Sequence, residues 1–416
     1  MIEKITDRQE RIPHFKQEAI RTAKIFCAGA GRTGNEVLAY ELLSGFGYNL
    51  IADMDTISRS NLSSTVLFTK EDVGKPKART AAERFEEKHA EGGKADPFEG
   101  DLCYDLGDGV IRHLDLVFGC VDNLQTRFFL SHVCKMTGKP YIDTGIEALD
   151  WHLFPMSGEA DTPCFACLLG ERAEREAVNS RKRNSCDVTM QKAYNNKEIP
   201  TIVTSAGASA SLAVAEAVKA LHAQKIETNE FYPPQFGVYH AFNGQTNTFQ
   251  KLRPSIRENC PHHESYAMLG GVTETPISAH WTLRQTLDWV NAEFGEDYTI
   301  SLIKDTVCVN RGFVTTACCK HCGKSIEVYR PLPLQDTDLL CSECRENHLM
   351  PNLLSDSRLK LDFSRADEQR LQEMTLLELG IPLAHIVEFV PENMSKDSLF
   401  LELTADIPEV MPQLPL

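Results

Sequence analysis

The residues KIFCAGAGRTG, at positions 24–34, indicate the fold class of the chain most clearly. Its first five residues form a mostly apolar run typical of a buried strand, and a helical pattern runs from Gly34 to Ser44. Between them, Gly29 allows a tight turn, Gly31 lets the backbone approach a phosphate, and Gly34 lets the helix pack closely. The helix N-terminus also offers free N–H groups to an anion. This strand–loop–helix unit predicts nucleotide binding.

The same alternation of strands and helices continues along the first half of the chain. It predicts a Rossmann-like α/β fold, with a doubly wound, mostly parallel sheet. The predicted strands are Asn49–Asp53, Asp115–Cys120 and PYIDTG at 140–145, and the predicted helices are Lys77–Lys88 and Gln125–Met136. Asp53 follows Gly29 by 24 residues, close to the position where an acid binds ribose hydroxyls. Because a nicotinamide-dependent oxidoreductase has the same features, the loop alone does not select a function.

The length, charge and composition of the chain limit the classes of protein to which it can belong. A chain of 416 residues is long for one core, so we expect two or three domains. The net charge of −16 argues against a nucleic-acid surface, and the sequence has no apolar run of about 18 residues that predicts a membrane span. The N-terminal MIEKITDRQERIPHF lacks the apolar core of a secretion signal. We therefore expect a cytoplasmic protein whose 14 cysteines serve metal sites or thiol chemistry more than disulfides.

Two pairs of metal-ligand residues lie far apart in the sequence. Cys164 and Cys167 lie in PCFAC, and Cys260 and His263 lie in NCPHH. Two pairs with two-residue gaps supply four tetrahedral ligands, and thiolate with imidazole favours Zn²⁺. His262 is an alternative ligand, although it breaks the spacing. A closed four-ligand site is structural, so this one is expected to clamp a segment between the pairs.

That segment contains a lone cysteine. Cys186 lies in RKRNSCDVT, within a charge-rich crossover at residues 168–200. The basic residues before it stabilise a thiolate, while Asp187 partly opposes them. Cys186 is therefore either a nucleophile or an incidental exposed cysteine.

A second set of metal ligands lies near the C-terminus. Cys319, Cys322, Cys341 and Cys344 have the spacing of a zinc ribbon or knuckle, with Cys318 making the register ambiguous. Small zinc modules organise binding surfaces, so this one is expected to recruit a partner such as a conjugating enzyme.

The character of the sequence changes at a Gly-Gly pair, residues 270–271. We predict a nucleotide-binding domain at 1–270 and a smaller α+β appendage at 271–410. The terminal IPEVMPQLPL, residues 407–416, is predicted to be a flexible tail.

Several ordered runs resemble the ThiF/MoeB/HesA superfamily, which includes the ubiquitin-activating (E1-like) enzymes. They are DMDTISRSNLSSTVLFTKEDVGKPKA, GCVDNLQTR, YIDTGIEA and PCFAC, and the resemblance covers roughly residues 7–265. It implies that the chain adenylates the C-terminal carboxylate of a small β-grasp protein, ubiquitin-like or sulfur-carrying, with ATP and Mg²⁺. In thioester-forming members the active cysteine occupies the crossover, which implies Cys186 and, as a second step, transfer to a conjugating enzyme or target.

The resemblance also implies roles at the nucleotide site. Asp53 would bind the ATP ribose, Asn61 and Lys77 the phosphates, and Asp122 the Mg²⁺. Two further residues complete the implied set of nucleotide contacts: Asp55 in the run after the second strand, and Asn123 beside Asp122.

Two further positions bear on this resemblance. Arg8 corresponds to an arginine that reaches into the partner protomer's ATP site, which implies a homodimer. The family usually has an arginine shortly after the Asn-Leu pair, where this chain has Ser63 and Ser64. Either Arg59 or Arg32 substitutes for it, or phosphate binding is weakened.

Other interpretations stay open at this point. Lys77 is alternatively a solvated helix charge, Asp122 a helix N-cap, and Arg8 a surface residue. For the whole chain the alternatives are a sulfur-carrier adenylyltransferase without transthiolation, an oxidoreductase, and a non-catalytic scaffold that retains the fold.

Overall fold

This computed structural model describes most of the chain. The residues covered are 4–184, 201–295, 297–301, 305–306, 309–310, 312–334, 340–344, 349–353, 358–359, 366–393 and 396–415. Cys186, the predicted nucleophile, lies outside these residues.

An eight-stranded sheet forms the centre of the first part of the chain. Its strands are β1 (Lys24–Ala28), β2 (Tyr48–Ala52), β3 (Lys94–Phe98), β4 (Leu116–Gly119), β5 (Tyr141–Glu147), β6 (Asp150–Met156), β7 (Tyr239–Asn243) and β8 (Thr248–Leu252). Their order is β3-β2-β1-β4-β5-β6-β7-β8, parallel from β3 to β5 and antiparallel from β5 to β8.

Helices cover both faces of this sheet. They are α1 (Asp7–Glu10), α2 (Gln17–Arg21), α3 (Arg32–Ser44), α4 (Lys77–Lys88), α5 (Asp108–Arg112), α6 (Leu124–Thr137), α7 (Phe165–Leu169), α8 (Glu171–Asn184) and α9 (Val203–Lys225). Because successive strand residues point to opposite faces, Ile25 and Cys27 of β1 pack with α3, α4 and α9, while Phe26 and Ala28 pack with α5 and α6. The predicted doubly wound, mostly parallel α/β fold is confirmed.

The C-terminal part has a hydrophobic core of its own. Its elements are β9 (Thr273–Thr275), α10 (Leu283–Phe294), β10 (Tyr298–Ser301), β11 (Asp305–Thr306), β12 (Val309–Asn310), β13 (Phe313–Cys319), β14 (Ser325–Pro331), β15 (Leu349–Leu353), β16 (Arg358–Leu359), α11 (Ala366–Glu373), β17 (Ile386–Pro391), β18 (Leu399–Leu403) and α12 (Ile407–Val410). A five-stranded sheet, in the order β16-β10-β17-β18-β9, packs with helix α10 around buried residues such as Leu287 and Phe389. The other described strands form a hairpin, β11-β12, and a three-stranded sheet, β14-β13-β15.

The two parts of the chain are joined through α5. A Cβ at Gly109 would lie 2.4 Å from the Ala384 carbonyl oxygen, so only glycine permits this approach of the two backbones. Glu402 on β18 is fully buried, and its carboxylate lies 3.2 Å from Arg112 Nε and 2.7 Å from His113 Nε2. These contacts hold the C-terminal sheet against the first domain.

The prediction of a flexible tail at 407–416 is wrong for the residues that the structure describes, which end at 415. Met411 is 2% exposed and packs into the core beneath the first sheet. The Gln413 backbone N–H donates to Asp96 Oδ2 at 2.9 Å, and its side chain donates to the Ala95 carbonyl at 2.8 Å. The tail thus covers β3, the edge strand, whose backbone groups would otherwise face water.

The described part of the chain contains no helix that is both long and apolar enough to cross a membrane.

Candidate active site

The glycine loop connects β1 to α3 at the carboxyl edge of the sheet. Gly29 has φ of +99°, and a Cβ there would lie 2.5 Å from the Cys120 carbonyl oxygen. A Cβ at Gly34 would lie 1.8 Å from the Gly29 carbonyl oxygen, so both positions require glycine for packing. A Cβ at Gly31 would meet nothing within 4 Å. Gly31 therefore faces open space, as a loop that admits a phosphate requires.

Asp53 connects the end of β2 to this loop. Its Oδ2 accepts a hydrogen bond from the Ala30 N–H at 2.9 Å, and its Oδ1 accepts one from the Asp55 N–H at 2.9 Å. Burial raises the pKa of the Asp53 carboxyl above its ordinary value, with the Lys77 ammonium opposing this effect. The carboxylate is held rigidly beside the loop, with lone pairs left for further donors.

Lys77, the first residue of α4, belongs to the same cluster. Its Nζ lies 2.8 Å from Asp55 Oδ2 and 3.9 Å from Asp53 Oδ1, and its side chain is only 10% exposed. The alternative of a solvated helix charge is wrong. Asp55 is exposed, so its contact with Lys77 is accessible to a competing anion.

Asn61 lies in a 3₁₀ turn that spans Arg59–Ser63. Its Oδ1 accepts hydrogen bonds from the Ser58 N–H at 2.8 Å and the Ser58 hydroxyl at 3.0 Å. Its Nδ2 donates to none of the residues that the structure describes, so a phosphate oxygen is a chemically suitable partner for it. Ser64 is buried, and its hydroxyl donates to the Asn61 carbonyl at 3.2 Å.

The two arginines considered as substitutes at this site differ in their surroundings. Arg59 is exposed at the start of the 3₁₀ turn. Arg32, the first residue of α3, donates from Nη1 to the Thr201 carbonyl. Thr201 pairs with Ala148, just after β5. The Arg32 side chain therefore reaches from the β1 loop toward the end of β5.

Asp122 and Asn123 follow β4, which lies next to β1. Asn123 caps α6, because its Oδ1 accepts the Thr126 N–H at 2.8 Å. The alternative of Asp122 as the N-cap is wrong. Asp122 is exposed, and no described side chain pairs with its carboxylate. An unpaired carboxylate beside the glycine loop suits Mg²⁺, which prefers oxygen ligands.

The register of the parallel strands brings these groups together. Ala28 of β1 pairs with Ala52 of β2 and with Gly119 of β4, so all three strands end at one level. The glycine loop, Asp53 and Asp122 follow these ends, and Lys77 contacts Asp53. In doubly wound sheets, ligands bind in the crevice at this edge.

A buried ion pair, which the sequence patterns did not predict, lies beneath the Asp122 loop. Arg127 of α6 donates from Nη1 to Asp143 Oδ2 at 2.7 Å and from Nη2 to the Val121 carbonyl at 2.6 Å. The Tyr141 hydroxyl donates to Asp143 Oδ1 at 2.9 Å. Burial alone would lower the pKa of Arg127, but the Asp143 carboxylate and its neighbours raise it above its ordinary value.

The structure does not bring Arg8 to the nucleotide site of its own chain. Arg8 is exposed on α1, and its neighbour Gln9 donates from Nε2 to the Ser44 carbonyl at 2.8 Å. Ser44 ends α3, whereas the glycine loop precedes α3. A helix of 13 residues is about 20 Å long, which separates Arg8 from the loop of the same chain.

The first predicted metal cluster is assembled by the fold. Single ligand atoms of Cys164, Cys167, Cys260 and His263 all lie within 4.8 Å of one another. His263 Nε2 lies 3.3 Å from Cys167 Sγ, and its Nδ1 lies 2.7 Å from the Ala160 carbonyl. An Nδ1–H bond to a carbonyl orients a metal-binding imidazole. The donor set and its spacing fit Zn²⁺.

His262 is not part of this cluster. It is 1% exposed, and its Nε2 lies 2.7 Å from Glu174 Oε1 on α8. Arg257 Nη2 lies 3.3 Å from Glu174 Oε2 and 3.5 Å from Cys260 Sγ. These contacts hold the start of the crossover against the metal cluster.

The second predicted metal cluster is also assembled. Ligand atoms of Cys319, Cys322, Cys341 and Cys344 lie within 4.8 Å of one another. Cys318 is outside the cluster, with its thiol 3.6 Å from the Gly323 carbonyl oxygen. The register is therefore settled, and four thiolates in this arrangement suit Zn²⁺.

The parallel sheet and its glycine loop define a Rossmann-like α/β protein. Within that class, the chain belongs to the ThiF family, whose sequence model matches residues 6–262. The match covers the candidate nucleotide site and the three cysteine ligands of the first metal cluster, and it ends one residue before His263.

Named relatives share parts of this chain. A Saccharomyces cerevisiae protein, ubiquitin-activating enzyme E1-like, is 30% identical over 36% of this chain and 23% of its own length. The sulfur carrier protein adenylyltransferase of Thermus thermophilus is 31% identical over 39% of this chain and 62% of its own length. The adenylyltransferase and sulfurtransferase uba4 of Aspergillus clavatus is 24% identical over 59% of this chain and 48% of its own length. Each match spans less than two thirds of the relative.

Among solved structures, Escherichia coli MccB with ATP superposes with a TM-score of 0.47 and 18% sequence identity. The superposition covers 59% of this chain and 68% of MccB.

Proposed function

We propose that this protein uses ATP and Mg²⁺ to adenylate the C-terminal carboxylate of a small β-grasp protein. The observation that carries the proposal is the clustering of Asp53, Lys77 and Asp122 around the glycine loop. Membership of the ThiF family and the names of the relatives, which include adenylyltransferases, support the same reaction.

The proposed residue roles follow from the charge of the reactants. A carboxylate is already ionised at neutral pH, so its attack on the α-phosphate needs no general base. The obstacle is electrostatic, because an anion must approach a polyanion. Lys77 stabilises the developing negative charge, after the phosphates replace Asp55 as its partner. Asp122 would hold Mg²⁺, which when bound supplies further positive charge, and Asp53 would accept hydrogen bonds from the ribose hydroxyls.

The fate of the acyl-adenylate separates two versions of this function. In the first, Cys186 attacks the adenylate, forms a thioester and releases AMP, and the carrier passes to a conjugating enzyme or target. AMP is a good leaving group, so correct placement of the thiol is the main requirement. In the second, the chain is a sulfur-carrier adenylyltransferase without transthiolation. The relatives include both a ubiquitin-activating enzyme E1-like protein and a sulfur carrier protein adenylyltransferase.

We further propose a homodimer in which Arg8 completes the active site of the partner protomer. The support is the position of Arg8 at the far end of α3 from its own glycine loop. Residues 1–270 would form the adenylation domain with its zinc-clamped crossover, and residues 271–410 a zinc-containing appendage that binds a partner.

Two readouts on one set of variants test these versions. Candidate β-grasp proteins are incubated with the enzyme, ATP and Mg²⁺, and both ATP–pyrophosphate exchange and a thiol-sensitive adduct are followed. If Cys186 forms the thioester, Cys186→Ala retains exchange but loses the adduct, while the control Cys318→Ser retains both. Robust exchange without any adduct in the wild type supports the sulfur-carrier version. Absence of exchange with every carrier contradicts adenylation.

A further inference from the structure

The loop that carries Asp122 is held from below by one buried cation. Val121 precedes Asp122, and its carbonyl accepts a hydrogen bond from Arg127 Nη2 at 2.6 Å. On the other side of Asp122, Asn123 is fixed as the cap of α6. The exposed carboxylate thus lies between two anchored residues, and Arg127 supplies the anchor on the strand side.

The Arg127 guanidinium has little freedom to move. Its other terminal nitrogen donates to Asp143 Oδ2 at 2.7 Å, and Asp143 is completely buried. The Tyr141 hydroxyl donates to Asp143 Oδ1, and His152 Nε2 lies 3.3 Å from Asp143 Oδ2. A carboxylate with these partners orients the planar guanidinium fork, which contacts two acceptors at once.

The packing of β4 makes room for this network. A Cβ at Gly119 would lie 2.1 Å from the Tyr141 hydroxyl, so glycine at the end of β4 lets that hydroxyl reach Asp143. Asp122 is therefore supported by one rigid unit, which comprises the end of β4, the Arg127–Asp143 ion pair and the start of α6.

We propose that Arg127 is a positioning residue that aims the Asp122 carboxylate at the metal of the bound nucleotide. The proposal rests on the proposed function for the role of Asp122. Arg127 does not itself contact the nucleotide in this account, because it faces Asp143 and the underside of the loop. Its contribution is to hold one ligand in place, as hydrogen bonds to metal ligands do in other sites.

The test removes the anchor without stranding a buried charge. Arg127→Met combined with Asp143→Asn removes both members of the ion pair, and the new amide still accepts from Tyr141. Arg127→Lys is the conservative variant: its single ammonium retains the charge but not the fork. Lys135→Met is the matched control, since Lys135 is a buried cation on the same helix that donates to Thr162 instead.

Three measurements are made on each variant. The first is the Mg²⁺ concentration that half-saturates ATP binding, which we expect to rise about 10- to 100-fold in the double variant. The second is Mg²⁺-free binding of AMP, expected to be unchanged because Asp53 and the glycine loop are intact. The third is amide hydrogen exchange at Thr126, whose N–H donates to the Asn123 cap, and this exchange is expected to accelerate while that of β1 does not. Arg127→Lys should fall between wild type and the double variant, and Lys135→Met should match wild type in all three.

These measurements distinguish a failure of the inference about Arg127 from a failure of the proposed function. Unchanged Mg²⁺ dependence with unchanged hydrogen exchange at Thr126 overturns the inference. An equal loss of AMP and Mg²⁺–ATP binding also overturns it, since the effect would then be general. If wild-type ATP binding does not respond to Mg²⁺, the role of Asp122 in the proposed function is wrong. Even then, unaltered hydrogen exchange in the double variant would show that Arg127 does not anchor the loop.

Discussion

Among single residues, Lys77 shows most clearly how the proposed nucleotide site is organised. Its ammonium lies between Asp53 and Asp55, largely shielded from water. Two carboxylates keep the cation in place before a nucleotide arrives, so little reorganisation is required when phosphates replace Asp55.

This arrangement leads to a prediction for Lys77→Met. We expect carrier-dependent ATP–pyrophosphate exchange to fall by about 10²-fold or more, because a preorganised cation near the α-phosphate is lost. Arg79→Met is the matched control: Arg79 is an exposed cation on the same helix, paired with Glu99. Exchange by Lys77→Met at the rate of the Arg79→Met control would contradict the role of Lys77.

A second pair of residues, Glu41 and Asn49, lies outside the candidate active site and affects the stability of the fold. Glu41 of α3 is fully buried, and the Asn49 side-chain amide donates to its Oε2 at 2.6 Å. Glu41 Oε1 and Asn49 Oδ1 are both buried and have no hydrogen-bond partner within the described structure. Burial raises the pKa of Glu41 well above its ordinary value. The fold therefore favours the neutral, protonated form of the Glu41 carboxyl.

The sign of the pH dependence follows from this raised pKa. In the unfolded chain Glu41 loses its proton near pH 4.3, whereas in the folded chain it keeps the proton to a higher pH. Its contribution to stability consequently falls as pH rises above the unfolded-state pKa. Glu41→Gln supplies the same hydrogen bonds without a titratable group, so its Tm should exceed that of wild type by more at pH 7 than at pH 5.

Thermal unfolding at both pH values, with exposed Glu83→Gln as the control, measures this difference. A Glu41→Gln variant that is less stable than wild type at pH 7 would show that Glu41 is ionised and paired.

At the scale of elements, the two metal clusters connect segments that are distant in sequence. The first joins α7 to the segment before β9, and the second joins the β13–β14 turn to the segment before β15. Structural Zn²⁺ contributes its binding free energy directly to folding. Each cluster should therefore hold its own ion and stabilise its own region.

We predict about two zinc ions per chain, measured by metal analysis of the purified protein. His263→Ala should lose the first ion and destabilise the crossover, whereas His262→Gln should retain it, because His262 contacts Glu174 and not the cluster. Cys319→Ser should lose only the second ion.

Cys318→Ser is the matched control for the second cluster and should keep both ions. Retention of both ions by His263→Ala, or loss of an ion from Cys318→Ser, would contradict these ligand assignments.

Elements with clear apolar periodicity were predictable from the sequence. The bounds of β1 and α4 agree with the prediction, and β2, β4 and α6 differ by one residue at either end. Strand β3, KADPF, was missed because lysine, aspartate and proline obscure its alternation, and proline is tolerated there at a sheet edge.

Some of the candidate site residues were likewise predictable from the sequence, and others were not. Spacing alone located both metal clusters, because ligand pairs with short gaps leave few alternatives. The role of Arg127 was not predictable, since its partner Asp143 lies on another strand and only the sheet brings them together. Arg127 is visible in the GCVDNLQTR run, one helical turn after the helix cap. Its spacing alone does not distinguish a buried ion-pair arginine from a solvated charge on the helix.

At the scale of the whole molecule, the C-terminal part packs against the first domain. The ion pair of Glu402 with Arg112 of α5 and the packing of the tail on β3 connect the last strand and the C-terminal residues to the first domain. A partner bound to the C-terminal part would therefore be held at a fixed distance from the nucleotide site.

The proposed homodimer leads to a complementation prediction. Arg8→Ala and Asp122→Ala chains are each expected to be inactive, because each site needs Arg8 from one protomer and Asp122 from the other. In a mixed dimer one of the two sites has both residues, so exchange should recover to about a quarter of the wild-type rate after random mixing of chains. Arg11→Ala, a surface arginine after α1, is the control and should be active alone. Lack of recovery in a mixture shown to contain heterodimers would contradict action in trans.

The proposed adenylation can be measured as ATP–pyrophosphate exchange in the presence of a matching β-grasp carrier, compared between wild type and Asp122→Ala. We expect exchange in wild type that requires ATP, Mg²⁺ and the carrier's free C-terminal carboxylate, and loss of that exchange in Asp122→Ala while the fold and zinc content are retained. Undiminished exchange in Asp122→Ala, or tight binding of NAD in place of ATP by the wild type, would contradict it.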